Sequence, residues 1–267
     1  MAARRTSLCL AARAGGAALL TLALAFAPVL MLACPRAMAA DAPLRPLKVV
    51  TFALVPFGML DAAGMPAGVT VDLQQQLALE SGLAMENLIV PYPRAVAMII
   101  SGEADLLLSF DNAKLRAHAR QLGAVASGEI VVMGRAGSSY ASLADLRGKT
   151  VGHIRGAEYD VVLQSDPAVA KHETVSYEQS VRMLLEGRFD ATLGVRLSLL
   201  HTLRQLGVPR AKLGPELVLG RRDIVVHYSS KRYDPQVAAA LTRALAVMRQ
   251  RGAAAAAMKP YEDGSAR

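Results

Sequence analysis

Cysteine is nearly absent from this chain: of 267 residues only Cys9 and Cys34 are cysteines, and tryptophan is missing altogether. Aromatic residues make up 4% of the sequence and charged residues 19%. The five histidines (118, 153, 172, 201 and 227) lie far apart, so no short metal-ligand motif exists. No G-x-S-x-G elbow is present and no reactive cysteine can be assigned. Gly148-Lys149-Thr150 ends like a phosphate loop, but Leu143 stands where that loop needs its first glycine. The net charge of +8 is spread thinly, which gives no reason to invoke nucleic acid.

What the chain does have begins at its N-terminus. Residues 17–33, AALLTLALAFAPVLMLA, carry no charge; Arg4, Arg5 and Arg13 precede them, and Pro35-Arg36-Ala37-Met38-Ala39 comes after. A basic start, a short apolar run and a small-x-small exit predict a secretory signal peptide over 1–39, cleaved after Ala39. Pro28 interrupts the run, which argues against a membrane span. An uncleaved anchor and a lipid-modified Cys34 are the alternatives. Cleavage removes both cysteines and four arginines, so the +8 falls to +4 and no internal disulfide remains. An exported chain without disulfides needs an ordinary packed core, and the roughly 228 remaining residues suffice for one or two.

Along the mature chain, short β-rich runs alternate with helical ones. KVVTFAL (48–54) reads as a strand, Asp61–Pro66 as a turn, and LQQQLALESG as a helix capped by Asp72, with Leu73, Leu77 and Leu79 as core contacts. Residues 88–90 form a second strand, 94–101 a helix and 105–108 a third strand. EIVVM (129–133) adds another. The pattern then restarts with strands at 149–154, 173–175 and 189–193 and helices at 157–164, 177–186 and 196–206. A strand at 224–228 and a long helix over 235–250, apolar at Val237, Leu241, Leu245 and Met248, complete it. Alternation of this kind predicts parallel sheets covered by helices. No Pro/Gly/Ser tether separates the two units, so the chain is expected to cross between them on strands.

Four segments in this order resemble one family, the solute-binding proteins of polar amino-acid uptake, family 3. GVTVDLQQQLALESGL resembles its "G-apolar-x-apolar-D-L" passage from strand to helix, and YPRAVAMIISGEADLLL its helix, "G-x-x-D" turn and strand. SLADLRGKTVGHIRGAEYD resembles "L-x-D-L-x-G-K-x-V-G-x-x-x-G", and SYEQSVRMLLEGRFDATLG the stretch "S-x-x-x-A-x-x-x-L-x-x-G-x-x-D-A". The resemblance spans about 46–262. It implies an α/β, two-lobed periplasmic-binding-protein-like (type II) fold, each lobe a mostly parallel sheet flanked by helices. Lobe 1 would comprise 40–131 plus 224–267 and lobe 2 132–223, with a small solute held between them.

The same resemblance implies a set of ligand-binding residues. Phe57 follows the first strand as a wall; Ser109, Phe110 and Asp111 follow the third. Arg116 matches the arginine that pairs with a ligand carboxylate, and Arg94 is a further candidate. Arg155, Gly156, Ala157 and Glu158 match the glycine loop of the second lobe, although Ala157 stands where the family has a hydroxyl. Val195 departs further, standing where amino-acid binders place an aspartate for the α-ammonium. A buried ammonium without that counter-charge is costly, so either Glu158 or Asp111 substitutes or the ligand is not a standard α-amino acid. Asp190 is read as structural. The implied role is capture of a small polar solute, amino-acid-like or a small carboxylate, for an ABC transporter permease in the inner membrane. The protein would be a periplasmic monomer with no metal, no cofactor, no nucleic-acid partner and no catalytic residue. The alternatives are a sensing module serving a separate signalling chain, and a dehydratase-like enzyme on the same fold using Glu158 or Asp111.

Overall fold

LKVVTF buries five of its six residues and forms strand β1 (Leu47–Phe52), as expected of a strand covered on both faces. This computed structural model describes residues 45–265; the expected signal peptide lies outside them. After β1 come a small hairpin, β2 (Met59–Leu60) and β3 (Pro66–Ala67), then α1 (Val69–Ser81), β4 (Met85–Val90), α2 (Tyr92–Ser101), β5 (Leu106–Phe110) and α3 (Ala113–His118). Next is the long strand β6 (Ala119–Arg135), then β7 (Thr150–Ile154), α4 (Val161–Ser165), β8 (Ala170–Thr174), α5 (Tyr177–Leu185), β9 (Ala191–Val195) and α6 (Arg196–Gln205). A second long strand, β10 (Leu213–Ser229), precedes the final helices α7 (Pro235–Gln250) and α8 (Ala253–Glu262). None of the helices among the described residues is long and apolar enough to cross a membrane.

The strands form one curled sheet in the order β4-β1-β5-β10-β6-β9-β7-β8. Strands β4, β1 and β5 are mutually parallel, as are β9, β7 and β8. Between these triplets runs an antiparallel ribbon of β6 and β10, each 17 residues long. Strand β5 pairs with Ile224–Tyr228 at one end of the ribbon and β9 with Ile130–Gly134 at the other. In the middle, residues 127–129 pair only with 221–223, beside the expected boundaries at 131/132 and 223/224. Register shifts at several points of the ribbon mark the irregularities by which such strands bend and twist. The fold is therefore two-lobed, and the halves are fused through strands.

Several local expectations are corrected. Helix α1 starts at Val69 with Gly68 as its cap, and Asp72 lies within the first turn. Gly68 has φ 118°, and a Cβ there would sit 2.6 Å from the carbonyl oxygens of Pro56 and Phe57, so only glycine fits. Leu73 and Leu77 are buried, but Leu79 is 80% exposed. Two residues beyond Leu77, it points to the opposite side of the helix. Helix α4 is only five residues long: Asp160, itself extended, caps it through Leu163 N–H, and 157–160 lie outside the helix. Strands β6 and β10 far exceed the short runs that hydrophobicity marks. Residues 119–129 are mostly half-buried, and the β10 ladder holds them rather than apolar burial.

Each half has its own helical cover. Helix α1 packs on α7 over the first triplet, with Leu73 and Leu77 on one side and Val237, Leu241, Leu245 and Met248 on the other, all buried. Each such side chain contributes about 1.5–3 kcal/mol on leaving water. Helix α5 packs on α6 over the second triplet. Asp190 holds that half together, its carboxylate accepting from Thr150 N–H at 2.8 Å.

Candidate functional site

The carboxyl ends of both parallel triplets converge on one crevice, the usual place for a ligand in open α/β sheets. Phe52 ends β1, Leu54 and Phe57 lie on the loop between β1 and β2, Tyr92 succeeds β4, and Phe110 ends β5. From the other half, Ala157, Glu158 and Tyr159 succeed β7, Tyr177 succeeds β8, and Val195 ends β9 just ahead of Ser198. They enclose a chamber of about 20 Å³, room for about one water. Outside it lies a larger recess of about 280 Å³ between Pro91–Pro93 and Ile154–Arg155, with Thr174 and Val175; Leu54 and Tyr92 line both.

The chamber wall is aromatic. Phe52 meets Tyr92 edge-on at 5.6 Å between ring centres, and Phe57 meets Phe110 edge-on at 6.4 Å. Tyr159 and Tyr177 share a hydrogen bond of 2.8 Å, and Tyr177 Oη accepts from Val195 N–H at 3.1 Å. Burial raises the Tyr177 phenol to about 12 and pushes Tyr159 well above its ordinary value. Burial also raises Tyr92, whose hydroxyl accepts from Asn112 Nδ2 at 2.8 Å. All three phenols are neutral at pH 7. Glu158 is then the only charged side chain on the chamber wall. The buried Ser198 hydroxyl has no hydrogen-bond partner among the described residues.

Two groups tie the halves together across the crevice. From the middle of β10, the Arg222 guanidinium donates to the carbonyls of Glu158 and Tyr159 (the latter at 3.1 Å) and to the Asp111 carbonyl at 2.5 Å. The Glu158 carboxylate accepts from Ala113 N–H of α3 at 3.2 Å. Gly128, opposite Arg222 on β6, leaves room for both neighbours: a Cβ there would sit 3.2 Å from Phe110 and from Val195.

Of the residues expected from sequence, Phe57, Phe110, Ala157, Glu158 and Val195 line the chamber. Arg155 lines the outer recess and pairs with Glu173. Gly156 faces Pro93 across it, a Cβ there coming to 3.6 Å. Ser109 is buried behind the wall, its hydroxyl donating to the Phe110 carbonyl at 3.0 Å. Asp111 stands at the rim, its carboxylate taken by Arg116 and by Gln121 Nε2 at 2.6 Å. Arg94 and Arg116 both lie outside the lining. Each is more than half exposed and bound to a carboxylate of its own half, Glu103 for Arg94 and Asp111 for Arg116. Sequence reasoning missed Phe52, Leu54, Tyr92, Tyr159, Tyr177, Ser198 and Arg222. The usable signal was scarcity: in a chain so poor in aromatics, tyrosines just beyond strand ends are conspicuous. Arg222 gave none. No group of three or more metal-ligating side chains occurs among the described residues.

Two α/β halves on a crossing ribbon, with one crevice at their facing edges, define the architecture of periplasmic-binding-protein-like domains. The chain belongs to the bacterial extracellular solute-binding proteins, family 3, whose pattern matches residues 47–263. Among curated proteins none matches. Solved structures of the same fold include a histidine kinase sensor domain with similarity to periplasmic binding proteins. It is 20% identical, with a TM-score of 0.70, over 82% of this chain and 96% of that one. The VFT2 domain of Bordetella pertussis BvgS is 20% identical, with a TM-score of 0.68, over 80% of this chain and 92% of that domain. An ancestral arginine-binding protein bound to arginine is 19% identical, with a TM-score of 0.70, over 82% of this chain and 99% of that one.

Proposed function

We propose that this chain captures a small solute in the crevice between its halves and hands it to an ABC transporter permease. In this reading residues 1–39 direct export and are removed, and the mature protein works in the periplasm as a monomer. Lobe 1 is 40–131 plus 224–267, and lobe 2 is 132–223. The observation that carries the reading is the chamber itself: both halves contribute strand ends to it, and Arg222 touches both. Opening about the two-stranded middle of the ribbon would admit a solute, and closing would enclose it.

A second reading rests on the histidine kinase sensor domain, which shares the fold as fully as the arginine-binding protein does. In it, occupancy is read by a separate signalling chain rather than a permease. An enzyme is the weaker reading, because Glu158 is the one carboxylate on the wall and the phenols beside it are held neutral.

Fractions of a small-molecule extract, screened by thermal shift on the exported protein, test solute capture. A ligand at 100 times its dissociation constant stabilises by about 2.7 kcal/mol. At least one fraction should raise the melting temperature saturably, and a flat response across all fractions would remove the solute-binding reading. Uptake of the identified solute separates the two roles: loss of uptake in a deletion strain supports transport, and unchanged uptake supports sensing.

A further inference from the structure

We infer that the crevice takes an aromatic or similarly apolar molecule with a single polar group, and not a free amino acid with its paired ammonium and carboxylate. This rests on the solute-binding reading and narrows it. Three of the chain's five phenylalanines and three of its seven tyrosines converge on this one chamber. A protein that uses aromatic residues so sparingly elsewhere has built a ring-lined wall here, of the kind that holds carbon rather than charge.

A zwitterion needs both a carboxylate and a cation: the one wall carboxylate, Glu158, already accepts from Ala113 N–H at 3.2 Å, and among the described residues no guanidinium or ammonium lines the chamber. Val195, 3% exposed, presents an isopropyl group and no carboxylate at the end of β9 on the chamber wall. Arg94, Arg116 and Arg155 each pair with a carboxylate away from the chamber. The guanidinium of Arg222 is taken up by three backbone carbonyls. Leaving either end of a zwitterion unpaired here would cost far more than ring contacts recover. Among the described residues the one unmet buried polar group on the wall is Ser198 Oγ, wholly buried. A hydroxyl so placed can give or take one hydrogen bond, which fits a ligand with one polar atom at that end. The chamber as it stands has room for about one water, so a ring enters it only as the halves part, by way of the outer recess of about 280 Å³, which continues the character with Leu54, Pro91, Pro93, Ile154 and Val175 on its walls.

Isothermal titration calorimetry of the exported protein tests this with indole, phenylethylamine and phenylacetate, which carry one ring system with no charge, a positive charge or a negative charge. L-Glutamine, L-glutamate and L-arginine are the polar set. At least one aromatic probe should bind one-to-one with a negative heat-capacity change, and none of the three amino acids should bind. The Phe110→Leu variant, which keeps an apolar side chain, should weaken the aromatic probe at least tenfold, and Ser198→Ala should weaken it less. Binding of any of the three amino acids overturns the inference while leaving solute capture intact. So does a lack of binding by all three aromatics when an extract fraction still stabilises the protein. Unchanged affinity in Phe110→Leu moves the ligand out of the chamber and overturns it as well.

Discussion

Arg222 is the residue on which the closed crevice turns. Its planar fork reaches carbonyls from both halves at once, a geometry that a guanidinium satisfies and an ammonium cannot. Hydrogen bonds to a charged group contribute about 1.5–3 kcal/mol each when well formed, less where solvent reaches them. Arg222→Ala is therefore expected to lower stability by about 2 kcal/mol and to widen the scattering envelope, with Arg222→Lys recovering only part of either. An unchanged urea midpoint together with an unchanged radius of gyration would show that the guanidinium bridges nothing of consequence. Arg116 makes a useful contrast. Its pair with Asp111 is exposed, and such pairs contribute between 0 and about 1 kcal/mol, so Arg116→Ala should leave the midpoint nearly where it was. Val195→Asp is the harsher change. It buries a carboxylate on a wall of aromatic rings, with the Arg222 guanidinium already taken by backbone carbonyls, at a cost of several kcal/mol or a carboxyl held protonated. A variant as stable as the parent at pH 8 would mean the site is wetter than its lining implies.

At the scale of elements, β10 carries a second consequence. His227 is fully buried, and neither ring nitrogen has a hydrogen-bond partner among the described residues. Burial depresses the imidazole from 6.5 to about 4, against the weaker opposing pull of Asp111 and the Ser109 backbone. The unfolded chain then binds a proton near pH 6.5 that the folded chain refuses until about 4. Stability is complete above 6.5 and falls as pH drops toward 4, by about 3 kcal/mol from this residue. His227→Leu should flatten that limb of the stability profile. An equally steep limb in the variant would place the acid sensitivity elsewhere, with His153 and His201 the next candidates, since burial lowers both. The elements differ in how visible they are before folding. Strand β1 announces itself as a near-continuous apolar run covered on both faces, and helix α7 by the period that burial of one face imposes on its residues. Strands β6 and β10 do not: across 119–129, mostly half-buried, the ladder with β10 holds the backbone extended, and a ladder leaves no mark on one strand alone. The chamber was half legible for the same reason. Phe57, Phe110 and Val195 sit at or just beyond strand ends that the motifs fix, whereas Tyr159 and Tyr177, bonded to each other within the second half, come opposite Tyr92 only across the crevice. Arg116 fits the family motif, but Asp111, five residues before it, captures the side chain first.

For the whole molecule, the opening and closing proposed for the crevice has to contend with the C-terminal helix. Helix α8 packs on α1 and α7 of the first half and also on α6 of the second. Its Tyr261 ring lies 5.9 Å from His201, nearly edge-on, and the Tyr261 carbonyl accepts from Arg204 of α6. Rotation about residues 127–129 and 221–223 must therefore drag α6 across α8 or break these contacts, so α8 acts as a strap behind the hinge. Tyr261 is 6% exposed, and trimming a buried aromatic to alanine costs on the order of 3 kcal/mol. That loss alone would be expected at any core position. What distinguishes a strap is that the closed shape should go as well. Tyr261→Ala is expected to show a larger radius of gyration in solution scattering, whereas Leu245→Ala, a core loss confined to α7 in the first half, should lose comparable stability without expanding. If both variants weaken the fold and neither swells, α8 is merely packed against α6, and the ribbon with Arg222 must set the crevice width unaided.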